Sequence, residues 1–80
     1  MIGTVEEFFD RINVAAVKLT QSLKVGDVIE VGNEEEAVRQ KVSSMQIDRN
    51  DVEEAGGGDS VGIKLNHKVP LGSEVYKILR

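Results

Sequence analysis

Between Ser60 and Asn66 the chain reads Ser-Val-Gly-Ile-Lys-Leu-Asn, an alternation that sets Val61, Ile63 and Leu65 on one side and Lys64 on the other. Two is the side-chain period of a strand, so the segment predicts a strand with one buried and one solvated face. The pattern recurs elsewhere. Ala15, Val17 and Leu19 share a face within residues 14–19, and Val28-Ile29-Glu30-Val31 and Val75-Tyr76-Lys77-Ile78-Leu79 are rich in residues that fit a pleated surface. Ile2 to Phe9 predicts the first strand, followed by a turn at Asp10-Arg11-Ile12-Asn13. Gly26-Asp27 suits a tight turn before Val28, and Gly32-Asn33-Glu34-Glu35-Glu36 is a further turn, too charged to be interior.

Ala37 to Asp48 is the longest strand candidate. Val38, Gln40 and Val42 share one phase and Met45 and Ile47 the other, so the register slips near Ser43-Ser44 as it does at a β-bulge. Val38, Val42 and Met45 also fit helical spacing, but the serine pair and the β-branched residues favour a strand. Asn50 to Ala55 followed by Gly56 carries a capping-box signature and a glycine stop, which predicts one short helical turn near 50–55. Six short strands with glycine-bearing turns predict an all-β fold, a small closed six-stranded barrel forming a single domain over residues 1–80.

Composition narrows the chemistry. A chain of 80 residues buries only about 60% of its unfolded surface, so the core is thin. With no cysteine, disulfides and thiolate metal sites are ruled out, and with no tryptophan the core must come from valine, isoleucine and leucine. No apolar run approaches the roughly 18 residues of a membrane helix, which predicts no membrane contact. The start, Met1-Ile2-Gly3-Thr4-Val5-Glu6-Glu7, lacks the basic and apolar regions of a signal peptide, and Gly3 is misplaced for myristoylation; a cytoplasmic location is the expectation.

The same counts remove most catalytic schemes. One histidine cannot supply a multi-histidine metal site, and without a thiol there is no cysteine nucleophile. His67, between Asn66 and Lys68, reads as a solvent-exposed turn residue. Gly56-Gly57-Gly58-Asp59 leads into a strand rather than a helix N-terminus, so it reads as a turn and not as a phosphate cradle. Asn66-His67-Lys68-Val69 lacks the aspartate of a guanine-recognition motif, so the chain alone is expected to bind no GTP. Adjacent glutamates such as Glu34, Glu35 and Glu36 point apart into water and form no acid pair. Asp48, Asp51 and Glu54 lack the loop pattern of a calcium site. The expectation is no enzyme activity, no cofactor and no metal.

What remains is binding. The net charge of −4 is uneven: residues 27–59 carry ten acids and three bases, whereas residues 60–80 carry one acid and four bases. An acidic protein lacks the general nucleic-acid footprint, but its basic last quarter leaves a local contact open. Lys64, His67, Lys68, Lys77 and Arg80 form the candidate basic edge. Phe8 joins them, because alternation exposes one ring of the Phe8-Phe9 pair as an anchor or stacking platform. The alternative reading is a bulge at Glu6-Glu7 that turns both rings towards the core or a barrel end.

From Leu23 onwards the chain resembles the second domain of translational GTPases, the elongation factor Tu and initiation factor two family. The matching residues are Leu23-Lys24-Val25-Gly26-Asp27-Val28-Ile29, Val42-Ser43-Ser44-Met45-Gln46-Ile47 and, most specifically, Val52-Glu53-Glu54-Ala55-Gly56-Gly57-Gly58-Asp59-Ser60-Val61-Gly62-Ile63-Lys64-Leu65. In that family this stretch is a small Greek-key β-barrel. The resemblance implies a non-catalytic module docking on a protein or an RNA-associated complex, with direct RNA or transfer-RNA binding as the alternative. The GTPase and third domains of that family are absent. Similar barrels also occur as free-standing small proteins and as the tail of a collagenase-like peptidase family linked to RNA modification, and a lone barrel looks more like these.

Overall fold

The computed structural model describes residues 1–32 and 37–78. Among the described residues ten short strands run in order: β1 (Gly3–Phe9), β2 (Val14–Leu19), β3 (Leu23–Lys24), β4 (Val28–Val31), β5 (Val38–Lys41), β6 (Met45–Ile47), β7 (Asn50–Val52), β8 (Glu54–Ala55), β9 (Ser60–Lys64) and β10 (Glu74–Ile78). The all-β expectation holds, and no helix forms among the described residues. Eight strands make one curled sheet in the order β5-β4-β10-β1-β2-β9-β6-β7, and β3 and β8 pair as a separate ribbon. Every pairing is antiparallel. Of the turn expected at Gly32-Asn33-Glu34-Glu35-Glu36, residues 33–36 lie outside the described residues.

The inward faces follow the alternation. Ala15, Val17 and Leu19 of β2 are buried, as are Val61 and Ile63 of β9 with Leu65 just beyond it, while Lys64 is exposed. In β1 the register shifts between Val5 and Glu7: Val5 pairs with Val17 and Glu7 with Ala16, leaving Glu6 as the extra residue. Without that bulge a period of two would carry Glu7 inward after Val5. With it, Glu6 and Glu7 both stay exposed, Phe8 packs against the core, and Phe9 turns out with 45% of its surface exposed. The bulge therefore lies where the sequence allowed one, but it separates the two rings rather than burying both.

Two local expectations are corrected. Residues 37–48 are not one bulged strand. β5 and β6 lie towards opposite ends of the sheet order, and residues 42–44 carry the chain between them. The phase slip at Ser43-Ser44 marks this crossing: Val42 is buried, its N–H donating to Asp27 O at 2.8 Å and its carbonyl accepting from Gly26 N at 2.9 Å. Nor is there a helical turn near 50–55. Asn50–Val52 pairs with β6 and Glu54–Ala55 with β3. A single helical turn fixes several residues for one hydrogen bond, whereas here each residue gains a neighbouring strand, and Ala55 a place in the core.

The core is aliphatic, with Leu19, Leu23, Ile29, Met45, Ile63 and Leu65 as its largest fully buried side chains. No polar or charged side chain among the described residues is buried. Among the described residues the ionisable side chains are exposed or half-buried.

Candidate interaction surface

The outward positions of β2, β9 and β6 form a shallow groove. Ala16 sits opposite Gly62, and Gly62 opposite Gln46, so the two smallest residues lie side by side in one row across three strands. A methyl group added at Gly62 would come within 3.2 Å of Val14 Cγ1, so the close approach of that side chain uses the missing Cβ. One wall is Phe9, Ile12 and Val14; Phe9 and Ile12 are largely exposed. The other is the tip of the β6–β7 hairpin, Asp48 and Arg49. The groove encloses about 410 Å³, within the range of roughly 300–1,000 Å³ usual for ligand clefts.

That tip is a two-residue turn, because Ile47 pairs directly with Asn50. Asp48 and Arg49 both take left-handed backbone angles, φ 50° and 66°. Hairpins of this kind favour positive φ at both positions because the twist then matches the strands, with glycine preferred at the second. Arginine there is strained. Among the described residues its guanidinium is in no ion pair.

The described members of the basic edge anticipated from the sequence lie at several places in the fold. Phe8 and Lys68 line a second cleft together with Glu7, Asp10, Val69, Pro70 and Leu71. Lys64 lies at the end of β9 opposite Val14, at the same end of the sheet as Phe9. His67 is exposed in the β9–β10 connection. Lys77 stands apart: it pairs with Ile29 in β4, on a strand that meets β1 only at Gly3 and Thr4. Arg80 lies outside the described residues. Two of the cations are already matched, Lys68 with Asp10 at 3.1 Å and Lys77 with Asp27 at 3.7 Å. The first pair is well exposed and worth little, but it still lowers the local positive field. Among titratable groups Tyr76 is pushed above its usual value, first by its hydrogen bond to Glu74 and then by the charge of that carboxylate.

Sequence reasoning missed the groove. Its signal was present: Val14, Ala16 and Gly62 occupy outward positions of alternating strands, where polar residues are the rule. No group of three or more histidine or acidic residues among the described residues is arranged to hold a metal ion.

The fold has close counterparts. It superposes on the C-terminal domain of a Geobacillus thermoleovorans protein that carries the name U32 peptidase, with a TM-score of 0.90 over 99% of this chain and 92% of that one, at 18% identity. A selenomethionine variant of the same domain gives 0.85 over 92% of this chain and 94% of that one, at 18% identity. In sequence the chain is 43% identical over 76 residues to an uncharacterised protease of Methanocaldococcus jannaschii. That match takes in 94% of this chain but only 19% of the protease, so the chain spans about a fifth of the relative's length. No protein-family model matches the chain.

These findings overturn the resemblance to the second domain of translational GTPases. None of these neighbours is a translation factor; all carry protease or peptidase names. The motifs around residues 52–65 lie on the end of β7, on β8, on a turn in which Gly58 N–H donates to Leu19 O at 2.8 Å, and on β9. The function that rested on that resemblance, a translation-type docking module, falls with it, and the alternative of RNA or transfer-RNA binding gains no support from these relatives. The names also count against setting the chain apart from enzymes altogether.

Proposed function

We propose that this chain is the accessory β-domain of a U32-type peptidase, contributing to proteolysis as a non-catalytic part of that enzyme. The observation that carries the reading is the 43% identity over 76 residues to a protease several times its length. The catalytic groups of such an enzyme then reside in the portion that this chain does not match. Consistent with that division, the ionisable side chains described here are all at the surface and one histidine serves the whole chain. The groove between Phe9 and Arg49 is the surface suited to polypeptide, since it combines an apolar floor with a charged rim. We also read the curled sheet as a six-strand barrel closing on itself. The main-chain bond from Val25 N to Glu53 O at 2.9 Å, which ties the segment leading into β4 to the segment leaving β7, supports that closure.

The test uses the Methanocaldococcus jannaschii relative in three forms: intact, lacking the matching segment, and with that segment replaced by this chain. Cleavage of a denatured protein substrate is expected to fall on deletion and to return in the chimera, while this chain alone cleaves nothing. A folded chimera no better than the deletion would sink the reading, as would cleavage by the isolated chain.

A further inference from the structure

One wall of the groove carries Arg49, which is in no ion pair among the described residues. Arg49 projects from a hairpin tip at φ 66°, where glycine would relieve strain. Strained residues held at a cleft are candidates for a binding role. The floor beside it is the row Ala16–Gly62–Gln46, with Phe9, Ile12 and Val14 completing an apolar surface. Such a site fits a ligand with one apolar side chain and one adjacent anion. Gln46 Nε2 donates to Asp51 Oδ1 at 3.0 Å, and among the described residues Arg49 is the cation that lines the cleft.

The charge around the groove suits a single carboxylate better than a polyanion. The chain carries −4 overall, and residues 27–59, which include this hairpin, are the acidic part. A phosphate backbone would gain one cation and meet many acids. A lone carboxylate gains a two-pronged bond to one guanidinium at little cost elsewhere. Asp48, the neighbouring groove residue, is the one carboxylate among the described residues that lines the site, and it opposes an anion there.

We propose that this groove binds the C-terminal end of a polypeptide, its last apolar side chain lying over Ala16 and Gly62 and its terminal carboxylate held by Arg49. The biological origin of such ends rests on the peptidase reading above, because each cleavage creates a new C-terminal carboxylate. The physical site does not depend on it.

The experiment titrates the 80-residue chain, labelled with ¹⁵N, with acetyl-Gly-Gly-Leu as the free acid and as its C-terminal amide, at low ionic strength. The free acid is expected to shift the amide signals of Ala16, Gly62 and Arg49, and to bind about tenfold or more tightly than the amide, as a charge-assisted pair requires. Arg49→Ala should erase that preference, Arg49→Lys should retain part of it, and Asp48→Asn should tighten the acid several-fold. Ala16→Leu, which fills the floor while leaving Arg49 in place, should abolish binding of both forms. The unliganded spectrum of each variant verifies its fold. Equal affinity for acid and amide, shifts confined to other faces, or no binding overturns the proposal. A working chimera in the cleavage experiment would leave the peptidase reading standing in any of those cases.

Discussion

Gln40 Nε2 donates a 2.9 Å hydrogen bond to the carbonyl of Lys64, joining edge strand β5 to the end of β9 across strands that are not neighbours in the sheet. The same amide accepts from Asn66 N–H at 2.7 Å. One side chain thus supplies the donor and acceptor that an adjacent strand would otherwise offer. Gln40→Ala should lower stability by about 1–2 kcal/mol, the net worth of two partly exposed hydrogen bonds. Gln40→Glu keeps the acceptor but loses the donor at neutral pH, and should fare no better. Denaturant unfolding measures both; two variants indistinguishable from the parent would show that the amide bridge holds nothing together.

The three consecutive glycines are not equivalent. A Cβ at Gly57 would stand 2.7 Å from Thr20 O and 3.1 Å from its carbonyl carbon, so backbone would have to move. Gly56 has only Asp59 Oδ2 nearby, at 4.0 Å. Gly57→Ala should therefore cost about 1–3 kcal/mol as an overpacked site, whereas Gly56→Ala should be neutral or stabilise by a few tenths of a kcal/mol to about 1 by restricting the unfolded chain. Thermal unfolding of the pair tests the order, and equal effects would contradict the packing at Thr20.

Arg49→Gly separates stability from binding. Removing the side chain from a left-handed position should raise stability by about 1 kcal/mol. In a domain of this size that is roughly 4–8 °C in melting temperature. The same substitution should eliminate the preference for a free carboxylate. A variant that melts no higher than the parent would mean that the φ of 66° carries no strain.

Ile63 is fully buried in the strand that joins β2 to β6. Ile63→Val should cost about 0.5–1.5 kcal/mol and Ile63→Ala about 2–5 kcal/mol. A domain of 80 residues has only about 4–12 kcal/mol in reserve, so the alanine variant should lose much of its folded population near 37 °C. Circular dichroism over a temperature ramp would show it.

Tyr76 is the sole tyrosine, so its titration can be followed directly by ultraviolet absorbance. Its hydroxyl donates to Glu74 Oε1 at 2.8 Å, which raises its pKa above the usual 10.0 by favouring the protonated form. The folded state holds this proton more tightly than the unfolded state does. The associated stability is therefore complete below the unfolded value near 10 and is lost as pH climbs through the raised value. Glu74→Gln should move the titration back down, and an unchanged midpoint would rule out the carboxylate as the cause.

Period-two alternation was enough to locate β2 at residues 14–19 and β4 at residues 28–31, because each strand shows one face to the core wherever its neighbours lie. It also marked Val61, Ile63 and Leu65 as interior. It could not tell a bulge from a crossing at Ser43-Ser44, since both reverse the phase. It gave residues 50–55 to a helix because capping is a local signal, while the pairing of Met45 with Val52 and of Leu23 with Ala55 is not.

The candidate site shows the same division. Composition alone removed thiolate chemistry and a multi-histidine metal centre, since no fold can supply residues that are missing. Which outward residues become neighbours depends on strand order and register. Ala16, Gly62 and Gln46 are far apart in the chain, and only the pairing of β2 with β9 and of β9 with β6 makes them one row beside Arg49. Side-chain alternation is a property of each strand, whereas the groove is a property of strands brought together, and that is why only the tertiary structure could decide it.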